Sequence, residues 1–592
     1  MMGLLQKAVE TYDFHRDFVG KQREGHQTLA PVSHIVTSAE LEITIDDAGR
    51  FVSARAVGKD EPKIIIPATE ESGGRSGKNA YMVAHPLCEK LSYLTAEENY
   101  YIPQLEAWAQ SAHAHPMLQP ILAYVKGRTI LSDLERSGVK AEEKMLVRWR
   151  VNGLGEGDGA CWTDPALFEA FTSYYRSRKQ ADEPCLCMIE GELLPEAKQH
   201  PKGIIPMFGN AKIISANDTS GFTYRGRFTD DRQSATVSYE ASQKAHNALR
   251  WIAAEQGVRV VFGGRTFLCW NPHGIRTCTA TGPFHVQKKA AVKPSDYRED
   301  LRNTLLGYRA ALPENEDVVI AAFDAATTGR LAVTYYNELQ GSDFLQRLHD
   351  WDLTCCWWMW DNENRCYSIQ SPALWQIVNC AFGTQRTEKG KKKLAADDRV
   401  MKQQMQRLVS CRVDRAKFPA DIKKALVNRA STPLAYDSGV RAGVLAVACA
   451  VLKKYYYDHD EEDWEMALEK DRRDRSYQYG RLLAVLEKVE RDTYGSDEGR
   501  EPNAIRMQST FCQRPLYVAN LLEKQLEKAY FPKLNVGSRA FYKKLIGEIM
   551  EKIHDFPESD WNKALGDTYL MGYYLQRNDL YKGKREDEQE EK

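Results

Sequence analysis

The spacing of apolar residues changes character along the chain. Up to about Tyr336, short runs rich in β-branched residues alternate with helical stripes. Leu41–Ile45, Phe51–Val57 and Lys63–Pro67 predict a small antiparallel meander, with the turn Asp46-Asp47-Ala48-Gly49 between its first two strands. Met145–Val151, Leu186–Ile189, Lys212–Ser215 and Arg259–Phe262 are further strand candidates. Asp164 followed by Pro165 predicts a helix start, with the helix running to Tyr175. Beyond Gln385–Lys393, nearly every periodic segment has helical spacing. Leu482, Val485, Leu486 and Val489 form one stripe within Tyr477–Tyr494. A second stripe, in a segment capped by Ser538, runs through Tyr542, Leu545, Ile546, Ile549 and Ile553. Pro502 and Pro515 sit where helices begin. The fold class expected is α+β. A mixed α/β N-terminal region with short antiparallel sheets comes first, followed by a C-terminal all-α helical bundle.

These patterns suggest an N-terminal α+β region over 1–140, a central α+β region over 141–384 and a basic linker over 385–398. A helical bundle follows over 399–582, and 583–592 is a charged tail expected to be disordered. The longest apolar stretch, Gly443–Leu452, is shorter than the ~18 residues of a membrane span. The first residues, MMGLLQKAVETYDF, lack an apolar signal core. A cytoplasmic protein without membrane attachment is expected. Thirteen cysteines are scattered without a C-x-x-C pair, so reduced, buried thiols are expected, with no metal or cofactor.

Three motif-like stretches fail on their own chemistry. Gly73–Asn79 has three residues between its glycines where a P-loop has four, and Asn79 follows the lysine where a magnesium ligand belongs. Gly155-x-Gly157-x-x-Ala160 fits a loose dinucleotide pattern, but Glu156, Asp158 and Asp164 surround the place of a pyrophosphate. The dipeptides His349-Asp350, His459-Asp460 and His554-Asp555 suit a phosphohydrolase metal pair only with further ligands at the same site.

Charge is more informative locally than in total. The chain has 81 basic and 82 acidic side chains, a net of −1. Yet Arg386–Arg429 carries 14 Lys/Arg against 5 Asp/Glu, and Glu196–Arg309 carries 17 against 9. Segregated positive charge suggests contact with a polyanion. The densest polar stretch, GNAKIISANDTSGFTYRGRF (209–228), supplies Lys212, Asn217, Arg225 and Arg227 as candidate contacts. Within SYEASQKAHNALRW (238–251), Lys244, Asn247 and Arg250 are spaced three apart, which suggests one helical face. Trp351, Trp357, Trp358 and Trp360 suit a hydrophobic core or a subunit interface better than a stacking platform.

Those two stretches, with CLCMIEGE (185–192), HPKGI (200–204), DRSYQYGRLLAVLEKVE (474–490) and PNAIRMQSTFCQRP (502–515), resemble one family's signature blocks. That family is the Csd-type large subunit of the type I-C CRISPR Cascade surveillance complex. The resemblance implies a non-enzymatic subunit of an RNA-guided DNA-binding assembly. It further implies recognition of the flanking motif (PAM) in target double-stranded DNA, support of the R-loop by holding the displaced strand, and recruitment of a trans-acting helicase–nuclease in antiviral defence. The implied partners are the guide RNA, the Cascade backbone subunits, the subunit capping the guide 5′ end, and small subunits.

Within that frame, the loop Ser72–Asn79 is the expected PAM reader, through Arg75, Ser76, Lys78 and Asn79, its glycines letting the backbone enter a groove. Lys391, Lys392, Lys393, Arg399, Arg407 and Arg412 are expected to contact the displaced strand, whereas Lys212, Asn217, Arg225 and Arg227 suit either guide RNA or a neighbouring subunit. The competing readings are a metal-dependent nuclease using a His-Asp pair and a purely structural scaffold.

Overall fold

The computed structural model describes residues 2–581 apart from 24–25, 76, 155–156, 215–234, 256, 283, 285–289, 363 and 496–498. The chain forms two compact units. The first comprises Met1–Val261, Arg265–Thr277 and Asp317–Leu339; the second comprises Phe262–Gly264, Cys278–Glu316 and Gln340–Lys592. The α+β class expected from the sequence is the class observed.

In the first unit, Leu41–Ile45 is the inner strand of a four-stranded sheet. It pairs antiparallel with Phe51–Ala56 and parallel with Leu146–Val151, which in turn pairs antiparallel with Cys88–Lys90. Asp46 closes the first turn by accepting from the main-chain N–H groups of Ala48 and Arg50. All five residues of Leu41–Ile45 are buried, because both faces are covered. Its apolar side joins the main core. On the other side, Glu42 accepts from Arg55, Arg148 and Arg150, and Arg148 lies over the Trp162 ring. The expected three-stranded meander is corrected at its third strand. Ile64–Pro67 pairs with His34–Thr37 in a separate two-stranded sheet. Lys212 makes only an isolated bridge to Arg330, not a strand. Asp164 caps the helix Pro165–Lys179 as expected, accepting from the N–H groups of Ala166 and Leu167.

In the second unit, Arg475–Arg491 is the central helix, buried from Ser476 to Glu490. Asp474 caps it by accepting from the Tyr477 N–H. It crosses the helix Tyr569–Leu580 at two glycines. A Cβ on Gly480 would overlap the Tyr569 carbonyl, and one on Gly572 would overlap the Tyr477 carbonyl. The helix Val536–His554 packs its apolar stripe on the same core. Its cap is Asn535, which accepts from the Ser538 N–H; Ser538 itself lies three residues inside. From Arg399 to Tyr581, the described residues contain helices and turns without a strand.

The basic segment expected as a linker is a two-stranded hairpin, Thr384–Glu388 paired with Lys391–Ala395. Lys389 (φ 47°) and Gly390 (φ 76°) both adopt the left-handed conformation that a tight two-residue hairpin turn requires. The hairpin escapes a hydrophobic-period reading because both its faces are polar, so the turn rather than an apolar stripe sets the register.

Candidate nucleic-acid interface

A cleft of about 770 Å³ opens on the first unit. The expected PAM loop forms one wall. Thr69 caps the short helix Glu70–Gly74 in a reciprocal pair with Ser72, and Glu70 is anchored by Lys179 at 3.1 Å. Arg75 then turns inward. Its guanidinium pairs with both oxygens of the buried Glu89 carboxylate and donates to the Val83 carbonyl at 2.8 Å. Glu89 also accepts from the His85 N–H at 2.8 Å. Arg75 therefore holds the loop in shape. Asn79 is exposed at the rim, Ser76 lies outside the described residues, and the Lys78 side chain is likewise not described.

The opposite wall comes from three distant segments: Lys198–Lys202, Asn210–Ile214 and Thr327–Arg330. The bridge between Lys212 and Arg330 ties two of them together, with the Lys212 N–H donating to the Gly329 carbonyl at 3.1 Å. Lys202 donates to the Arg75 carbonyl at 2.7 Å, joining the two walls. Among the described residues, the cleft thus gathers Arg75, Lys198, Lys202, Lys212 and Arg330 around a single lining carboxylate, Glu71. Burial, then the charges of Lys212, Arg75 and Arg250, hold the Lys202 ammonium below its ordinary pKa. Burial does the same to Lys212, whose ammonium has no hydrogen-bonding partner among the described residues. Partly dehydrated ammonium groups crowded in this way favour an incoming anion. His200 forms part of the floor as a neutral ring bonded to the Ser242 hydroxyl at 2.8 Å.

Other expected contacts are distributed differently. Lys244, Asn247 and Arg250 do not act as one face. Lys244 pairs with Asp13 at 2.9 Å. Asn247 is buried and donates to the carbonyls of Ala30 and Pro31, and Arg250 bonds the Asn247 oxygen and the Lys202 carbonyl. Arg250 thereby braces the main chain at Lys202. Asn217, Arg225 and Arg227 lie outside the described residues.

In the second unit, Lys391, Lys392 and Lys393 are exposed on the hairpin. Alternation sends Lys391 and Lys393 to one face, with Arg386 cross-strand from Lys393, while Lys392 reaches Asp437 at 2.8 Å. Arg399 is exposed, and Arg407 is held bidentately by Asp421 at 2.7 and 2.6 Å. Arg412 requires correction. It is 3% exposed, pairs with Asp352 at 3.1 Å and donates to the Ala280 and Gly282 carbonyls, so it is a core ion pair.

Trp351, Trp357 and Trp358 are buried, as the core reading required, whereas Trp360 is half exposed. The three His-Asp pairs do not converge. His349 lies beside Asp350 at 3.4 Å, His459 bonds the Phe418 carbonyl, and His554 packs on Trp561. Among the described residues, no group of three or more His, Cys, Asp or Glu is placed to hold a metal ion. Nor is any described helix long and apolar enough to cross a membrane.

The family model described as CRISPR-associated protein (Cas_Csd1) matches residues 15–581, nearly the whole chain. The chain belongs to this family. It is a Csd1-type large subunit of the type I-C Cascade assembly. A search of curated proteins finds no match. Membership makes this Csd1-type chain a partner of other Cascade components and of guide RNA. Sequence reasoning had not singled out Lys198, Lys202 and Arg330 as site residues. Lys202 lay inside the signature block HPKGI, but nothing local connects it to Arg75 or Arg330.

Proposed function

We propose that this Cascade subunit reads the PAM of target double-stranded DNA in the basic cleft of its first unit, without catalysing a reaction. The observation that carries this reading is the crowding of Lys202 and Lys212 beside Arg75, with one lining carboxylate among the described residues and an exposed amide, Asn79, at the rim. Lysines supply phosphate attraction that is blind to sequence, while an amide at a groove edge distinguishes bases. Arg75 is a positioning residue in this scheme, Ser76 and Lys78 complete the loop, and Asn217, Arg225 and Arg227 reach guide RNA or a neighbouring subunit.

The hairpin face carrying Arg386, Lys391 and Lys393, with Arg399, holds the displaced strand. R-loop exchange is nearly balanced in energy, so trapping the free strand shifts it toward opening. The assembled complex then recruits the helicase–nuclease in trans.

The test is binding of the reconstituted complex to targets differing only in the flanking triplet. Asn79→Ala is expected to narrow the preference between triplets by ~1–3 kcal/mol. Lys212→Ala is expected to weaken every target alike and to lower the salt dependence by about one unit. Equal loss on all triplets for Asn79→Ala, with Lys212→Ala silent, would remove the cleft from PAM reading.

A further inference from the structure

A separate cavity of about 480 Å³ lies within the second unit, and its wall carries four guanidinium groups: Arg441, Arg491, Arg500 and Arg577. Two carboxylates share that wall. Glu501 accepts from Arg441 at 2.6 Å, and Glu487 accepts from Arg491 at 2.6 Å. Glu490 faces Arg500 at 3.7 Å, so among the described residues the cations outnumber the carboxylates four to three even with Glu490 counted. Arg577 donates no hydrogen bond to a described residue. Its Nε stands 3.6 Å from a Glu487 carboxylate oxygen, an ion pair without a hydrogen bond. A guanidinium presents five N–H donors, so most of those around this cavity are unspent.

A second, independent feature borders the same space. The 23-residue helix Ser438–Asp460 begins there, with Ser438 and Gly439 on the wall. The residue in its capping position, Asp437, makes no cap bond; its carboxylate is turned to Lys392 at 2.8 Å and Gln385 at 2.5 Å. The first N–H groups of the helix therefore find no acceptor among the described residues, and they border the arginine-lined cavity. The rest of the wall sets the apolar side chains of Pro433, Leu445 and Ile505 beside Tyr367, Gln508 and Tyr573. A bare phosphate would fill only a small part of a cavity in the ~300–1,000 Å³ range typical of organic ligands.

We propose that this cavity binds a nucleoside phosphate. The phosphate lies between Arg577, Arg500 and the uncapped helix start, where planar forks and main-chain N–H groups match its oxygens. The nucleoside rests against Pro433, Leu445 and Ile505, with Gln508 and Tyr367 beside it. The same chemistry is offered by a free mononucleotide and by a nucleotide of a single strand.

Calorimetric titration of AMP into the full-length protein tests the assignment. Saturable binding is expected, weakened at least about tenfold by Arg577→Gln and by Gly439→Leu. Gly439 is helical, and an added Cβ there meets nothing within 4 Å, so a side chain is admitted at this wall position without removing any of the arginines or carboxylates. Inorganic phosphate is expected to bind at least about tenfold more weakly than AMP. Absence of saturation up to about 10 mM AMP, indifference to both substitutions, or phosphate binding as tight as AMP overturns the proposal. Displacement of bound AMP by oligothymidylate assigns the site to a strand, and failure to displace it assigns the site to a free nucleotide. Either result upholds the ligand class.

Discussion

His34 and His200 are pushed down to about 4 by burial, and His246 to about 3. All three are buried in the first unit, which therefore folds around neutral imidazoles. The unfolded chain takes up protons near the ordinary histidine value of ~6.5, before the folded chain does. Stability from these residues is fully present above about 6.5 and is lost as pH falls toward their folded values. At 1.36 kcal/mol per pH unit the ceiling is roughly 3 kcal/mol each for His34 and His200 and roughly 5 kcal/mol for His246. The urea midpoint is expected to fall steadily from pH 7 to 5, above the range where ordinary carboxylates titrate, and to fall less steeply in His246→Gln. A midpoint constant over that interval would count against burial of neutral rings. The same scale separates two arginines that look alike in the sequence. Arg412→Ala removes the buried ion pair between Arg412 and Asp352, and breaking such a pair typically costs ~3–5 kcal/mol. Its phenotype should be a lowered melting temperature, whereas Arg399, exposed on its helix, should tolerate alanine.

Among elements, the contact between Arg475–Arg491 and Tyr569–Leu580 rests on Gly480 and Gly572, each facing the other helix's main chain. Alanine ordinarily favours a helix over glycine by ~1 kcal/mol. At Gly480 the added methyl meets a carbonyl that cannot rotate aside, and overpacking of this kind costs ~1–3 kcal/mol or more. Gly480→Ala should therefore lower the melting temperature; a rise would mean that the helices stand further apart. The hairpin Thr384–Glu388/Lys391–Ala395 offers the complementary test on binding. Replacing Lys391 and Lys393 should reduce the salt dependence of single-strand binding by about 1.4 units, at ~0.7 per phosphate. Lys392→Ala, which removes a side chain paired with Asp437, should change it least. An unaltered slope in the double variant would return the hairpin to an ordinary solvated ribbon.

Across the whole molecule, the chain enters and leaves each unit more than once, so composition cannot mark their boundaries. The helical region from Arg399 onward also leans on elements before it. Tyr574 donates to the Trp358 carbonyl at 2.7 Å, and the Trp358 indole donates to the Met466 carbonyl at 3.0 Å. A fragment comprising 399–592 alone is expected to expose the apolar face that covers Trp357 and Trp358, and to melt lower than one beginning at 340. Comparable melting temperatures for the two fragments would contradict this.

Local features were readable in the linear chain because their causes are local. The Asp164-Pro165 helix start, the strand Leu41–Ile45 and the stripe ending at Ile553 follow from capping, alternation and helical period, and the signature blocks carried the family. Partners of charges were not readable. Arg75 meets Glu89, Arg412 meets Asp352, and Lys202 joins Lys212 in one cleft only after folding, since electrostatic interaction depends on distance in space and on burial rather than on neighbours in sequence. Runs of positive charge suggested a polyanion partner. Which of those charges remain available to meet it was settled by the packing that neutralised the others.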